Sequence, residues 1–358
     1  MALGIILGTR PEIIKMAPII RLCQKQSIPH YLLHTGQHYS YRMDQTFFRD
    51  LELPQPNHNL NVGSGTHAQQ TGKIMTGVEK TLQKEETGVV FVQGDTNTVL
   101  AGALTASKLH IPVGHVEAGL RSFDRTMPEE INRVVADHLS DYLFAPTEES
   151  RRNLLNEGIP DDNIHVTGNT VVDAVHQNIE LSRQKSDILD RLSLTPKEYI
   201  VVTAHRAENV DNKAKLSGIL AGLDKVQSHF SSPVIYPVHP RTMKTIKRFN
   251  LNTGNINVVE PVGYLDFLAL EANAKLVLTD SGGIQEEACI LKVPCVTLRE
   301  NTERPETLRV GSNMLAGTDP EKILEMAIAM SKTKPIWENP FGDGKAAQRI
   351  VEAVKKCF

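Results

Sequence analysis

The sequence predicts an α/β protein of two Rossmann-like domains facing each other across a cleft, and three observations lead there. Short apolar, β-branched runs alternate with stretches whose apolar residues recur at helical spacing. The runs end in Gly, Ser, Asp, Glu, His or Arg, the polar chemistry that ligand sites carry at the carboxyl edge of a parallel sheet. The alternation also stops and restarts. From Leu181 to Lys197 the chain reads LSRQKSDILDRLSLTPK, polar and charged, and a fresh β-branched run opens at Tyr199. A length of 358 residues suits two domains, each able to bury a core. The domain change is placed near Gly168 to Asp173. This gives an N-terminal domain over 1–170, a second over 171–340, and a terminal helix within 341–358 that braces one domain against the other.

In order, Leu3–Leu7 is an apolar run that breaks at Gly8-Thr9-Arg10-Pro11-Glu12 and resumes as an amphipathic helix from about Ile13 to Gln26. Backbone N–H groups at such a helix start can hold an anion, with Arg10 and Lys15 within a turn of it. Neither GxGxxG nor GxxxxGK[ST] is present, so a dinucleotide fingerprint and a P-loop are both unsupported. His30, His34 and His38 suggest a metal at helical spacing, but Tyr31-Leu32-Leu33 reads as strand and a Thr35-Gly36 turn follows before His38, so the three imidazoles do not share a face. Gln37-His38, at that strand's end, is instead placed to touch a ligand. Residues Pro54 to Thr71 read as a polar, Gly-containing loop, either a lid or a solvated connection.

The centre of the chain is Val89 to Arg133. Val89–Val92 meets Gly94-Asp95-Thr96 and then a helix to Lys108, and Ile111–Val116 ends on Glu117. Asp95 and Glu117 therefore each stand at the carboxyl end of a strand. A third carboxylate follows in Met127-Pro128-Glu129-Glu130-Ile131-Asn132-Arg133, where Pro128 suits the first helical position. Helical neighbours point about 100° apart, so one of Glu129 and Glu130 joins the other two acids and its neighbour does not. Counting from Pro128 favours Glu129. Tyr142–Ala145 and Ile164–Val166 complete the first set of strands.

The second half repeats the pattern. Tyr199–Thr203 leads to His205 and Arg206, and Val234–Val238 leads to His239-Pro240-Arg241. Leu276–Leu278 leads to Thr279-Asp280-Ser281-Gly282-Gly283 and a helix carrying Glu287. Strand, Ser-Gly-Gly and helix together offer bare N–H groups and a helix dipole to a phosphate. Glu287 can accept ribose hydroxyls, or can simply be an acid favoured near a helix start. The charged loop Leu298 to Glu306 brings Arg304 toward an anion, and Gly342 to Lys356 forms the terminal amphipathic helix.

Composition excludes several classes. With 40% hydrophobic and 23% charged residues and a net charge of −3, there is no basic footprint for nucleic acid, so phosphate binding must be local. No apolar run approaches the ~18 residues of a membrane span, and MALGIILGTRPE lacks a signal peptide's charged and apolar regions, so a cytoplasmic location is expected. Cys23, Cys289, Cys295 and Cys357 form no CxxC pattern and read as reduced packing thiols.

Seven segments, GTRPEIIK, QGDTNT, HVEAGLR, MPEEINR, TAHRAEN, TDSGGIQEEA and NTERPE, occur in an order and spacing that resembles the non-hydrolysing UDP-N-acetylglucosamine 2-epimerases over essentially the whole chain. The resemblance implies a GT-B fold and interconversion of UDP-GlcNAc and UDP-ManNAc by elimination of UDP to 2-acetamidoglucal and readdition. It places Asp95, Glu117, Glu129 and His205 in catalysis. It gives UDP binding to Arg10, Lys15, Arg206, Ser281, Gly282, Gly283, Glu287 and Arg304. A second, activating UDP-GlcNAc is implied for Gln37, His38, His239 and Arg206. It further implies a homodimer, a product that feeds ManNAc-containing surface polysaccharide, and no metal or cofactor. This chain departs from bacterial members in the shorter SFDRTMPEE and in GSGTHAQQT. The alternatives are a hydrolysing epimerase releasing ManNAc and UDP, an epimerase of another UDP-HexNAc, a GT-B glycosyltransferase, and a catalytically silent sugar-nucleotide sensor.

Overall fold

The computed structural model describes residues 1–37 and 41–357 and divides into two compact units, residues 1–177 with the segment from 341 onward, and residues 178–340. The first unit holds seven strands: β1 Ala2–Leu7, β2 His30–His34, β3 His58–Asn59, β4 Thr87–Gln93, β5 Val113–Val116, β6 Tyr142–Ala145 and β7 Ile164–Val166. Their order is β3-β2-β1-β4-β5-β6-β7 with every pairing parallel. Both faces of a parallel sheet are covered, which is why the central strands are apolar without alternation. Leu3, Ile5, Ile6, Leu7 and Val89 to Val92 are all buried. Helices His67–Lys84 and Asn97–Lys108 pack Ile74, Val78, Val99 and Ala103 into one core with Ile6, Val90 and Val92.

The second unit repeats the plan with six strands: β8 Ile200–Thr203, β9 Val234–Pro237, β10 Asn257–Val259, β11 Leu276–Thr279, β12 Cys295–Thr297 and β13 Asn313–Leu315. The order is β10-β9-β8-β11-β12-β13, again all parallel. Both sheets are thus Rossmann-like, and in each the strand order reverses at one point, between β1 and β4 and between β8 and β11. That reversal opens a crevice at the strands' carboxyl ends.

The unit boundary falls inside one helix, Thr170–Lys185, after Gln177. The segment from Phe341 returns to the first unit, where helix Ala346–Ala353 packs on helix Arg10–Lys25. Its first turn is capped from a distance: Ala346 and Ala347 donate their N–H groups to the Asp173 carboxylate at 3.2 and 3.1 Å. The stretch read as a loop over Pro54 to Thr71 holds more order than that reading. His58–Asn59 joins the sheet as β3, and a helix opens at His67. The reason is local: Thr66 and Gln69 form a reciprocal capping box that starts the helix inside the polar run. The four cysteines are free thiols, three of them buried. Among the described residues no helix is long and apolar enough to cross a membrane.

Candidate active site

In the first unit the turns after β1 and β4 flank the strand reversal. Gly94 adopts φ +84°, open to glycine and costly for other residues, and the chain then presents Asp95. Asp95 is half-buried and paired with the Arg133 guanidinium, while Asn132 Nδ2 donates to the Asp95 carbonyl at 2.9 Å. Arg133 and Asn132 lie on helix Pro128–Leu139, whose exposed first turn carries Glu129. Asp95 and Glu129 line the same cavity of about 310 Å³, with Gln37, His67, Gln70 and Asn97 among its other walls. Its polar wall is cross-tied: Asn97 donates to Gln70 at 2.7 Å, and Gln70 donates to the carbonyls of Gln37 and Gly63. Glu130 turns the other way. It is 2% exposed and accepts from Ser122 N and Oγ, Phe123 N and Arg133.

Glu117 stands on the neighbouring strand end, after β5, and does not line that cavity. It is buried at φ +72°, a conformation that costs a non-glycine residue on the order of 1–3 kcal/mol. Lys15 holds it there, its ammonium donating to both carboxylate oxygens at 2.6 and 2.8 Å, and Gln93 donates to one of them. Lys15, expected beside a phosphate, is paired here with Glu117. The anion notch expected after β1 is filled from within: Glu12 accepts from Gly8 N and Thr9 N and from the Thr96 hydroxyl. Burial pushes the Glu12 carboxyl up to about 7, with the charge of Asp95 adding and those three donors opposing. Arg10 stacks its guanidinium over the Phe47 ring, 5.7 Å from the centroid. Gln37 Oε1 accepts from Thr98 N at 3.0 Å and from its hydroxyl at 2.7 Å, so the side chain ties the start of helix Asn97–Lys108. His38 lies outside the described residues.

In the second unit the turns after β8 and β11 flank the corresponding reversal. The buried Asp280 carboxylate accepts the N–H groups of His205, at 3.0 Å, and Arg206, at 2.9 Å, and the Asn209 amide at 3.2 Å. This fixes the backbone from which the exposed His205 side chain projects. Helix Gly282–Ile290 starts at the Ser281 cap without a side-chain cap bond. A Cβ built on Gly282 would approach no neighbouring atom closer than 4.0 Å, and one on Gly283 none closer than 3.9 Å. The protein's own packing therefore does not require glycine here, whereas a group docking on bare N–H groups does. Glu287 is 6% exposed, with the Tyr264 hydroxyl donating to it at 3.3 Å. Burial, then the Glu287 charge, pushes the adjacent Glu271 carboxyl well above its usual range. Arg206 pairs with Glu303 at 2.8 Å and Arg304 with Glu286 at 2.7 Å. Although burial opposes it, Arg206 and Arg299 hold the Glu303 carboxyl down at about 2. His239 caps helix Pro240–Arg248, its Nδ1 accepting from Arg241 N.

Sequence reasoning missed Arg133, Glu12, Gln93 and Asp280. Arg133 carried a signal, one turn beyond Glu129 on the same helix, and Glu12 carried one as the fourth residue of a Thr-x-x-Glu capping box. Gln93 and Asp280 carried none beyond standing next to strand ends.

Three comparisons bear on the arrangement. A family model described as UDP-N-acetylglucosamine 2-epimerase matches residues 21–355. The UDP-N-acetylglucosamine 2-epimerase of Methanocaldococcus jannaschii is 56% identical over 98% of this chain and 98% of its own. A Methanocaldococcus jannaschii UDP-GlcNAc 2-epimerase crystal structure, in complex with UDP-GlcNAc and UDP, superposes at a TM-score of 0.91 with 55% identity, covering 99% of this chain and 100% of that one. A Pseudomonas aeruginosa UDP-2,3-diacetamido-2,3-dideoxy-D-glucuronate 2-epimerase is 40% identical over 98% of each chain.

Proposed function

We propose, since the chain belongs to the UDP-N-acetylglucosamine 2-epimerase family, that it interconverts UDP-GlcNAc and UDP-ManNAc without hydrolysis. C2 of the sugar has no adjacent carbonyl, so simple enolisation is unavailable. Inversion instead proceeds by elimination: a base takes the C2 proton, the C1–O bond breaks with its electrons going to UDP, and 2-acetamidoglucal remains. Return of a proton to the other face and readdition of UDP complete the cycle, with no redox change and no cofactor.

The observation that carries this reading is the placement of Asp95 and Glu129 on one cavity, with Glu117 held by Lys15 at the adjoining strand end. Elimination and readdition need acid and base groups for both faces of C2, and a group-transfer enzyme needs fewer. In this reading His205 acts near the diphosphate, Ser281, Gly282 and Gly283 hold phosphate, and Glu287 accepts the ribose hydroxyls. Arg10, Lys15, Arg206 and Arg304 offset the charge of departing UDP, the last three by exchanging their carboxylate partners for it. Gln37, His38 and His239 serve a second nucleotide sugar. The protein works as a cytoplasmic homodimer whose product feeds ManNAc-containing surface polysaccharide.

The test is incubation with UDP-GlcNAc in D2O, followed by NMR. UDP-ManNAc carrying deuterium at C2 is the expected product, and free ManNAc with UDP would replace this reading by a hydrolysing one. A second substrate is favoured by the Pseudomonas aeruginosa relative. Turnover of UDP-2,3-diacetamido-2,3-dideoxy-D-glucuronate in preference to UDP-GlcNAc would establish it.

A further inference from the structure

We infer that His115 is a standing imidazolium that positions the turns bearing Asp95 and Glu117. It lies within β5 and its side chain is fully buried. Nδ1 stands 2.6 Å from Asp137 Oδ1, and Nε2 stands 2.8 Å from the carbonyl oxygen of Gly94. A carbonyl only accepts. Asp137 is also surrounded by donors, since its second oxygen takes Arg121 at 2.7 Å and the Gly119 N–H at 3.2 Å. Both ring nitrogens must therefore donate, and the ring carries a charge.

Charge balance agrees. Arg121 also pairs with Glu157, so His115, Asp137, Arg121 and Glu157 form a chain of two cations and two anions that closes only with His115 protonated. Burial alone would lower the His115 pKa, but the attraction and hydrogen bond of Asp137 outweigh it and the net shift is upward. Asp137, despite its burial, is held low by His115 and Arg121.

The two ends of this chain reach both acids. Gly94 immediately precedes Asp95. Its N–H is fixed by the Val116 carbonyl at 3.1 Å, and its carbonyl by the imidazolium. The orientation of the Gly94–Asp95 peptide is thus set by a charged donor. On the other side Asp137 holds Gly119 N, two residues after Glu117, within a turn where a Cβ on Gly119 would lie 2.3 Å from the Ser150 carbonyl oxygen. One ion pair therefore sets the backbone of both carboxylates without touching substrate, so His115 is a positioning residue. Asp137 and Arg121 are its means of reaching the second turn.

The role in turnover rests on the proposed epimerase reading, and the protonation state does not. Long-range 1H–15N correlation of the histidine-labelled wild-type protein from about pH 6 to 8, assigned by loss of the signal in His115→Gln, should place both ring nitrogens at imidazolium shifts throughout. A neutral tautomer at pH 7 overturns the inference. In kinetics, His115→Gln should lower kcat about 100-fold, while KM for UDP-GlcNAc stays within about threefold. A KM effect with kcat preserved overturns it too. Asp137→Asn keeps the shape and removes the counter-charge, and should reproduce the kcat loss; if it turns over as the wild type does, positioning through this pair is wrong. Should the wild type fail to turn over UDP-GlcNAc, the epimerase reading falls, while the ring shifts still decide the charge.

Discussion

Glu129 and Glu130 are neighbours whose surroundings assign them opposite work, and substitution separates them. Glu129→Gln removes an exposed carboxylate on the cavity, so kcat should fall about 100-fold or more with the unfolding midpoint unchanged. Glu130→Gln disturbs a buried acceptor of four donors and should cost about 1–3 kcal/mol in urea unfolding. Glu12 gives a pH signature. Its folded-state value of about 7 lies above the ordinary 4.5, so folding favours its protonated form. The associated stability is present at low pH and is lost as pH rises from 4.5 through about 7. Urea unfolding at several pH values should show the wild type losing on the order of 3 kcal/mol across that window, and Glu12→Gln losing none of it. The acids themselves were legible because strand ends and a proline-led helix announce them. Their ion pairs were not: Lys15 meets Glu117 from 102 residues away, a partnership that no local pattern encodes.

At the scale of elements, two helix starts make contrasting predictions. Gly282→Ala adds a methyl where nothing of the protein lies closer than 4.0 Å, so the variant should fold as well as the wild type. If phosphate docks there, calorimetric titration with UDP should show affinity falling at least about tenfold. Asp173→Ala instead removes the remote cap of helix Ala346–Ala353 and should cost about 1–2 kcal/mol, read by thermal or urea unfolding. The strands of the two sheets were largely legible because a parallel strand buried on both faces is a short apolar run, as in Val89–Val92 and Tyr199–Val202. β3 escaped because His58–Asn59 is an edge strand of two polar residues, whose place is set by pairing with β2. The helix from His67 escaped for a different reason, its capping box lying inside a Gly-Ser-Thr run that otherwise reads as loop.

At the scale of the whole molecule, the repeated strand order shows why the alternation could be read as two domains. The composition change runs from Leu181 to Lys197 and the expected domain change lies near Gly168 to Asp173, while the two compact units divide within helix Thr170–Lys185, where no residue interrupts the periodicity. The second unit is continuous in sequence, so a piece covering residues 170–340, which keeps that helix entire, should fold by itself and bind UDP. Circular dichroism and titration calorimetry check both, and a folded piece without affinity for UDP would move nucleotide binding elsewhere. The first unit is not continuous. Its helix Arg10–Lys25, made early, meets its partner helix Ala346–Ala353 only after the whole second unit has been threaded between them. On the ribosome, therefore, the half that carries the three acids waits, one face of its earliest helix uncovered, until the half made after it has already left the exit tunnel.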